Sequence, residues 1–419
     1  MIQTLRNAWK IPDLRRRILF TTAMLIVFRV GAFIPVPGIN IAVIQEIVQK
    51  GGLLGFFDVV SGGAFSNFTI FALSITPYIT ASIIMQLLTI AIPKLEEMAK
   101  EGEEGRKKIA QYTRYGTVVL ALIQSIGLSL GMRGALYSAT PINITIVALT
   151  LTAGTAFLMW LGEQITDKGI GNGISLLIFA GIISRLPDGI ITIYQYYRVG
   201  TTNIVELVLF AIGAVLIIAG VVAIQEGQRR IPVQYAKRVV GRKMYGGQST
   251  HIPIKVNQAG VIPVIFASSL LAFPQTIGAF FPESGFNRFM ERYFAWGGFT
   301  HTLFTALLIV FFTYFYTAVT FNPMEVANNL RKYGGFIPGI RPGRPTAEYL
   351  DKVLTRITTA GALFLTFIAL LPYLLGPLTG IRQIGFGCTS LLIAVGVAID
   401  TMKQIEAQLV MRQYEGFLK

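Results

Sequence analysis

Ten stretches of mostly apolar residues, each near the length of one bilayer crossing, constrain this chain more than any other feature. They are 18–36, 70–92, 113–132, 144–162, 174–187, 204–224, 260–281, 301–321, 357–378 and 384–402. About 20 apolar residues in a helix cross a bilayer. Backbone in hydrocarbon must satisfy its own hydrogen bonds, so such runs form helices. The fifth run is short, closed by Arg185, Pro187 and Asp188, and can extend into 189–197. The first follows a basic segment but is not closed by a small-residue cleavage site, so it is expected to be a retained span.

Composition agrees. Of 419 residues, 53% are hydrophobic and 14% charged, against about 25% charged in soluble domains. This excludes an ordinary soluble enzyme, a disordered tail and a collagen-like fibre. A single cysteine, Cys388, excludes a disulfide scaffold.

The formal charge is nevertheless +15. Ten spans put both termini on one side. On that side lie 28 of the 36 Lys and Arg residues, 7 lie on the other, and Arg29 sits inside the first span. The positive-inside rule makes the richer side cytoplasmic. That side carries about +13 of the +15, an orientation signal rather than a nucleic-acid groove.

Some segments do not suit a simple bundle of oily helices. Residues 52–69 are apolar but interrupted by Asp58, Ser61, Gly62, Gly63, Ser66 and Asn67. Irregular backbone at membrane depth survives only inside protein or beside water. The segment is either a half-helix re-entering from outside or an amphipathic segment on the outer surface. Span two carries Pro77 and a stripe of Ser, Thr and Gln86; span seven carries Pro263, Pro274, Gln275 and Thr276. Small and hydroxyl residues in spans usually mean close helix packing, but Gln86 favours a protein- or water-facing position. Each span is second in its half of five, which hints at an inverted repeat.

Two cytoplasmic loops are long, 225–259 and 322–356. The first alternates apolar and polar residues from Val233, reaches Gly241 and alternates again, so a hairpin-like finger is predicted. The second contains Phe336-Ile-Pro-Gly-Ile-Arg-Pro-Gly, which predicts a stiff turn with Arg341 at its tip. Basic protrusions of this length suit an anionic partner such as RNA, acidic protein or lipid headgroups.

Enzyme chemistry is sparse. His251 and His301 are expected in loops on opposite sides and cannot share a metal. Cys388 in span ten reads as a packed thiol. Gly169-Ile-Gly-Asn-Gly173 has neither a preceding strand nor a following Gly-Lys-Ser/Thr, so a tight turn into span five is expected rather than a phosphate loop. Glu96, Glu97, Glu101, Glu103 and Glu104 lie among basic residues as a solvated surface, and Glu206 sits at a span end. A proton- or ion-coupled transporter would show ionisable groups at mid-membrane; Arg29 is the one candidate, and snorkelling or pairing with backbone carbonyls also explains it. No catalytic residue, metal or cofactor is expected.

The motifs Ser61-Gly-Gly-Ala, Pro77-Tyr-Ile-Thr-Ala-Ser-Ile-Ile-Met-Gln-Leu-Leu, Gln111-Tyr-Thr-Arg-Tyr-Gly, Met159-Trp-Leu-Gly-Glu-Gln-Ile-Thr, Gly227-Gln-Arg-Arg-Ile-Pro-Val-Gln-Tyr-Ala-Lys-Arg, Ala259-Gly-Val-Ile-Pro-Val-Ile-Phe-Ala-Ser-Ser and Thr389-Ser-Leu-Leu-Ile resemble, in order and over essentially the whole chain, the SecY family of protein-translocation channels. The resemblance implies an all-α polytopic fold: ten transmembrane helices in two inverted five-helix halves, 1–199 and 200–419, around an hourglass pore. It implies a pore ring of Ile75, Ile79, Ile174, Ile178, Ile265 and Ile393, and a plug helix near 57–67 with Asp58, Ser61, Gly62, Gly63 and Asn67. It also implies a lateral gate between spans two and three and spans seven and eight, with Gln86, Gln124, Gln275 and Thr276. The two loops would dock a motor or ribosome through Arg229, Arg230, Lys237, Arg238 and Arg341. The implied partners are SecE and SecG, the SecA ATPase, the ribosome, unfolded preproteins, signal sequences and lipid, without specific DNA binding. The function implied is a passive protein-conducting pore in a bacterial cytoplasmic membrane. The alternative from the residues alone is a secondary transporter of a small solute. Loops 133–143 and 379–383 and the C-terminal tail are short for the family, which puts tail-mediated contacts in doubt.

Overall fold

The computed structural model describes the chain except residues 1, 50–54, 56–57, 60, 201–202, 236–237, 241–242, 246–248, 281–283, 296–297, 380–386 and 418–419. The order is α1 (Ile2–Lys10), α2 (Pro12–Gly31), α3 (Ile41–Gln49), α4 (Thr76–Ala91), α5 (Pro93–Lys100), α6 (Glu103–Gly131), α7 (Pro141–Lys168), α8 (Gly173–Arg198) and α9 (Ile204–Glu226). Then come β1 (Gln228–Tyr235), β2 (Arg238–Val240), β3 (Lys243–Tyr245), β4 (Ser249–Lys255), α10 (Ile262–Phe280), α11 (Gly285–Tyr293), α12 (Phe299–Thr320), α13 (Pro323–Lys332), β5 (Gly335–Phe336), α14 (Arg344–Thr379) and α15 (Gly387–Phe417).

Each of the ten apolar runs overlaps a helix among the described residues. Among the described residues six helices are long and apolar enough to cross a membrane: α6, α7, α8, α9, α12 continued by α13, and α14. The pair α4 and α5, bent by 100°, makes a seventh. α2 is long enough but opens with Asp13 and three arginines, and the apolar part of α10 covers only Ile262–Gly278, so neither is both long and apolar enough. The fifth run takes its longer reading, since α8 continues through Pro187 to Arg198.

Helix ends follow local chemistry. Pro93 opens α5 and cannot continue α4's hydrogen-bond ladder, so the chain bends there. Asn172 caps α8 by accepting from the Ser175 amide, and Gly171 takes φ +88° in the turn before it. The Gly169–Gly173 stretch is thus the tight turn expected. Asn203 and Glu206 form a capping box on α9.

Three expectations need correction. The half-helix over 57–67 is not helical beyond Val59: Ser61–Ile75 is a chain of turns. Gly62 and Gly63 have φ +68° and +89°, and even Phe68 (+39°) and Ser74 (+53°) enter the left-handed region, which breaks any helical ladder. Helix α4 accordingly starts at Thr76, six residues later than the apolar run, and leaves Ile75 at its cap. His301 lies in the first turn of α12 and is buried, not in a loop; His251 lies on β4 and is exposed.

The main core joins α2, α4, α7, α8, α9, α10, α12, α14 and α15. A second cluster caps the opposite end of α6 and α7 from α5, with Val36, Ile39, Ile44, Phe65, Phe68, Met132 and Leu151. Some glycines mark where elements approach most closely, and others do not. Gly213 on α9 meets nothing within 4 Å. Gly213→Ala is expected to leave thermal stability in detergent unchanged or raise it by up to about 1 kcal/mol, the helix-propensity difference.

Candidate functional site: an isoleucine cluster, its turn segment and a two-loop platform

The six isoleucines come from four helices and belong to one larger apolar cluster. Ile75 and Ile79 come from the start of α4, Ile174 and Ile178 from the first turns of α8, Ile265 from α10 and Ile393 from α15. Ile75, Ile79, Ile178 and Ile393 are buried, and Ile174 and Ile265 pack partly buried against them. Spacings of four place each pair on one helix face. Gly162 and Gly173 let α7 and α8 come together beneath them: a Cβ at Gly173 would sit 1.9 Å from the Gly162 carbonyl oxygen. Bulky side chains stiff at χ1 thus join one continuous apolar core.

The turn segment runs into the same cluster. Ala64 is fully buried there, and Ser61, Gly62, Gly63 and Phe65 are also buried. This depth excludes the surface-lying alternative. Asp58 accepts the Ser66 amide at 2.7 Å and forms an ion pair with Arg185 on α8. Arg185 also donates to Ser66 Oγ at 2.9 Å and pairs with Asp188. Arg29 donates to the Gly62 carbonyl at 2.7 Å and to Ser184 Oγ at 3.1 Å. Of the readings open for Arg29, pairing with a backbone carbonyl is the one observed. Ser61 bonds within the segment, to the Asp58 carbonyl and the Phe65 amide, and Asn67 Oδ1 accepts from Gln45.

Helix α10 packs against both α4 and α6 and forms a seam between the first and second parts of the chain. Gln124 is buried on α6 and Gln86 is half-buried on α4. They do not meet. Ala81 faces Gly116 at 3.6 Å, and Gln86 and Gln124 lie in opposite directions from that level, about 20 Å apart at 1.5 Å per residue. Gln275 donates to the Phe294 carbonyl, and Thr276 bonds its own helix at Ala272. The four polar residues are spread along the seam rather than gathered.

The two long loops form one platform. β1 pairs antiparallel with β4 and, along its other edge, with β5 of the second loop, giving the order β4–β1–β5. β2 and β3 form the predicted finger hairpin. Ile231, Val233 and Ile254 pack with Leu330, Ile337 and Leu350 into a small core beneath the sheet. Arg229 and Arg230 are exposed on β1, and Arg341 is exposed in the turn after β5. Gly339 and Gly343 flank it at φ +82° and +99°, and Thr346 Oγ1 donates to its carbonyl. Arg238 lies on β2; Lys237 lies outside the described residues.

Sequence reasoning assigned Arg185 only the role of ending a span. A signal for it exists: Asp58 is the one charge in 52–69, and Arg185 closes an apolar run. The β1–β5 pairing left no signal, because β5 is two residues long.

A family model described as SecY matches residues 69–402. The chain is 51% identical to the protein translocase subunit SecY of Halalkalibacterium halodurans, with all of both chains covered. It is 49% identical to that of Thermotoga maritima, over 100% of this chain and 98% of the relative. Among solved structures, a protein-conducting channel aligns with TM-score 0.66 at 20% identity, covering 94% of this chain and 92% of the other. Sec61 from a canine ribosome–channel complex aligns with TM-score 0.64 at 20% identity over the same shares. The matched segment holds all six isoleucines, the seam helices and both loops, and the agreement runs from end to end: this multi-pass membrane protein belongs to the SecY family.

Proposed function

We infer that the protein is a protein-conducting channel, which passes secretory chains across a bacterial cytoplasmic membrane and releases membrane segments sideways into lipid. What supports this is the apolar cluster that the six isoleucines from four helices share with Ala64 of the turn segment, a segment also held by hydrogen bonds from Arg29 and Arg185. An apolar constriction bars ions by dewetting. It grips no particular side chain, so it suits a conduit for many sequences.

The parts then take their roles. The six isoleucines form the ring between halves 1–199 and 200–419. Asp58, Ser61, Gly62, Gly63 and Asn67 belong to the plug. The α10 seam with α4 and α6 is the lateral gate, lined along its length by Gln86, Gln124, Gln275 and Thr276. Both termini and the loop platform face the cytoplasm, where basic residues concentrate. Arg229, Arg230, Lys237, Arg238 and Arg341 dock the SecA motor or the ribosome; a ribosome accompanies the canine Sec61 relative. SecE and SecG complete the assembly. Work comes from the motor or the elongating chain, so the pore itself needs no catalytic residue and no cofactor. An apolar signal helix gains free energy on entering lipid, which shifts the equilibrium toward an open seam provided it binds that state better. The family assignment gives no support to a small-solute transporter.

Reconstitution with SecA, ATP and a secretory precursor, with photo-cross-linkers at Ile79 and Ile178, tests this directly. Both positions are expected to cross-link the moving chain. Productive export without cross-links at either position rejects the pore assignment.

A further inference from the structure

Two arginines on different helices converge on the turn segment, and both lie in or beside apolar runs where a charge is costly. Arg29, near the end of α2, reaches the Gly62 carbonyl at 2.7 Å, and its guanidinium also lies 4.7 Å from the Phe33 ring centroid. Arg185 lies on α8, seven residues or about 10 Å beyond the ring residue Ile178. It holds Asp58 and Ser66 together. The Asp58 side chain is 9% exposed and that of Arg185 26%. The backbone is built for this approach: a Cβ at Gly62 would lie 2.8 Å from the Gly181 Cα, and one at Gly63 would lie 2.9 Å from the Arg185 guanidinium carbon.

Both anchoring helices belong to the first part of the chain, whereas the seam lies between α10 and α4 with α6. Parting the seam therefore breaks none of these contacts. Charge-assisted hydrogen bonds are the stronger class, and separating a largely buried pair leaves an uncompensated charge.

We propose that Arg29 and Arg185 are stringency-determining residues of the channel: they latch the 61–69 segment below the isoleucine ring as a second barrier, independent of the gate. This rests on the channel reading. A chain entering the pore must break the latch as well as part the ring, so a weak signal that opens the seam only briefly fails at the latch.

The test uses membranes containing the complete complex. Two quantities are read: export of a defective-signal precursor relative to an intact one, and amide hydrogen exchange at Ala64 and Thr69. Arg185→Gln and Arg29→Gln are each expected to raise the export ratio and the exchange rate by about tenfold, the scale of one charge-assisted hydrogen bond. Arg185→Gln strands the Asp58 carboxylate, so Asp58→Asn/Arg185→Gln, which removes both charges, keeps the comparison readable where the single variant folds poorly. Double-mutant analysis should show Asp58 and Arg185 acting as one unit, with the pair of changes costing no more than either alone. Wild-type exchange and wild-type stringency in Arg29→Gln and in the double variant overturn the latch. Failure of the unaltered complex to move the intact precursor overturns the channel reading instead, while the exchange measurement still reports on the latch.

Discussion

Replacing Ile79 or Ile178 with Asn is expected to make membranes carrying the protein leak ions and to let precursors with defective signals through. Both side chains are buried in the main apolar cluster. Burying one such side chain contributes about 1.5–3 kcal/mol. An amide in the same place loses that term and leaves its polar atoms unpaired, at a further cost of about 1–3 kcal/mol. In a wetted, parted ring the amide recovers its hydrogen bonds to water. The closed-to-open balance therefore moves by about 3 kcal/mol or more, over a hundredfold in population. Gly at the same positions should act in the same direction through lost burial and a cavity. Leu, which keeps volume and apolarity, should cost less than about 1.5 kcal/mol. Ion flux into vesicles, measured with no precursor present, checks the seal. Leakage at the level of the unaltered protein in the Asn variants of both residues would reject the ring.

The apolar runs made the helices legible because a bilayer imposes one length and one way of satisfying backbone groups. Each run overlaps a helix among the described residues, although the second enters its helix only at Thr76. Turn chemistry was legible too, since Gly339 and Gly343 take the left-handed conformations expected on either side of Arg341. What hydropathy could not give was the path of Ser61–Ile75. An apolar segment satisfied by turns, a carbonyl-binding arginine and a carboxylate reads like a helix until its partners are known. Phe68 and Ser74, left-handed without being glycine, carry no local mark of it. The ring residues are a different case. Isoleucine in a span has no distinctive sequence signal, and only the family motifs singled out these six; the structure then places them in one cluster. Gln86 and Gln124 show the converse. Both are unusual in sequence, and the axial offset along α4 and α6 keeps them apart.

Gly154→Ala is expected to be among the most damaging single-methyl changes in the protein, although Ala is ordinarily the better helix residue. Gly154 lies on α7 where that helix meets the turn segment. A Cβ there would stand 1.8 Å from the Ile70 carbonyl oxygen and 2.8 Å from its carbon. The obstacle is backbone, and that backbone has nowhere simple to go. The Ile70 amide donates to the Ile34 carbonyl, Val36 donates to Phe68, and the Phe71 ring stacks between Phe28 and Phe157. Relief requires displacing the 68–71 turn, which stands directly before Ile75 and the start of α4. Overpacking in a well-packed interior costs about 1–3 kcal/mol, and a clash with a pinned carbonyl belongs at or above the top of that range. The expected result is poor accumulation in membranes and a lower melting temperature in detergent, with ion leakage in the fraction that folds, because Ile75 moves with the turn. Gly116→Ala provides the comparison: its Cβ would meet only the Ala81 methyl at 3.6 Å, ordinary contact. Equal stability of the two variants would show that α7 and the turn segment can separate freely, and would remove the physical basis for coupling the segment's position to the ring.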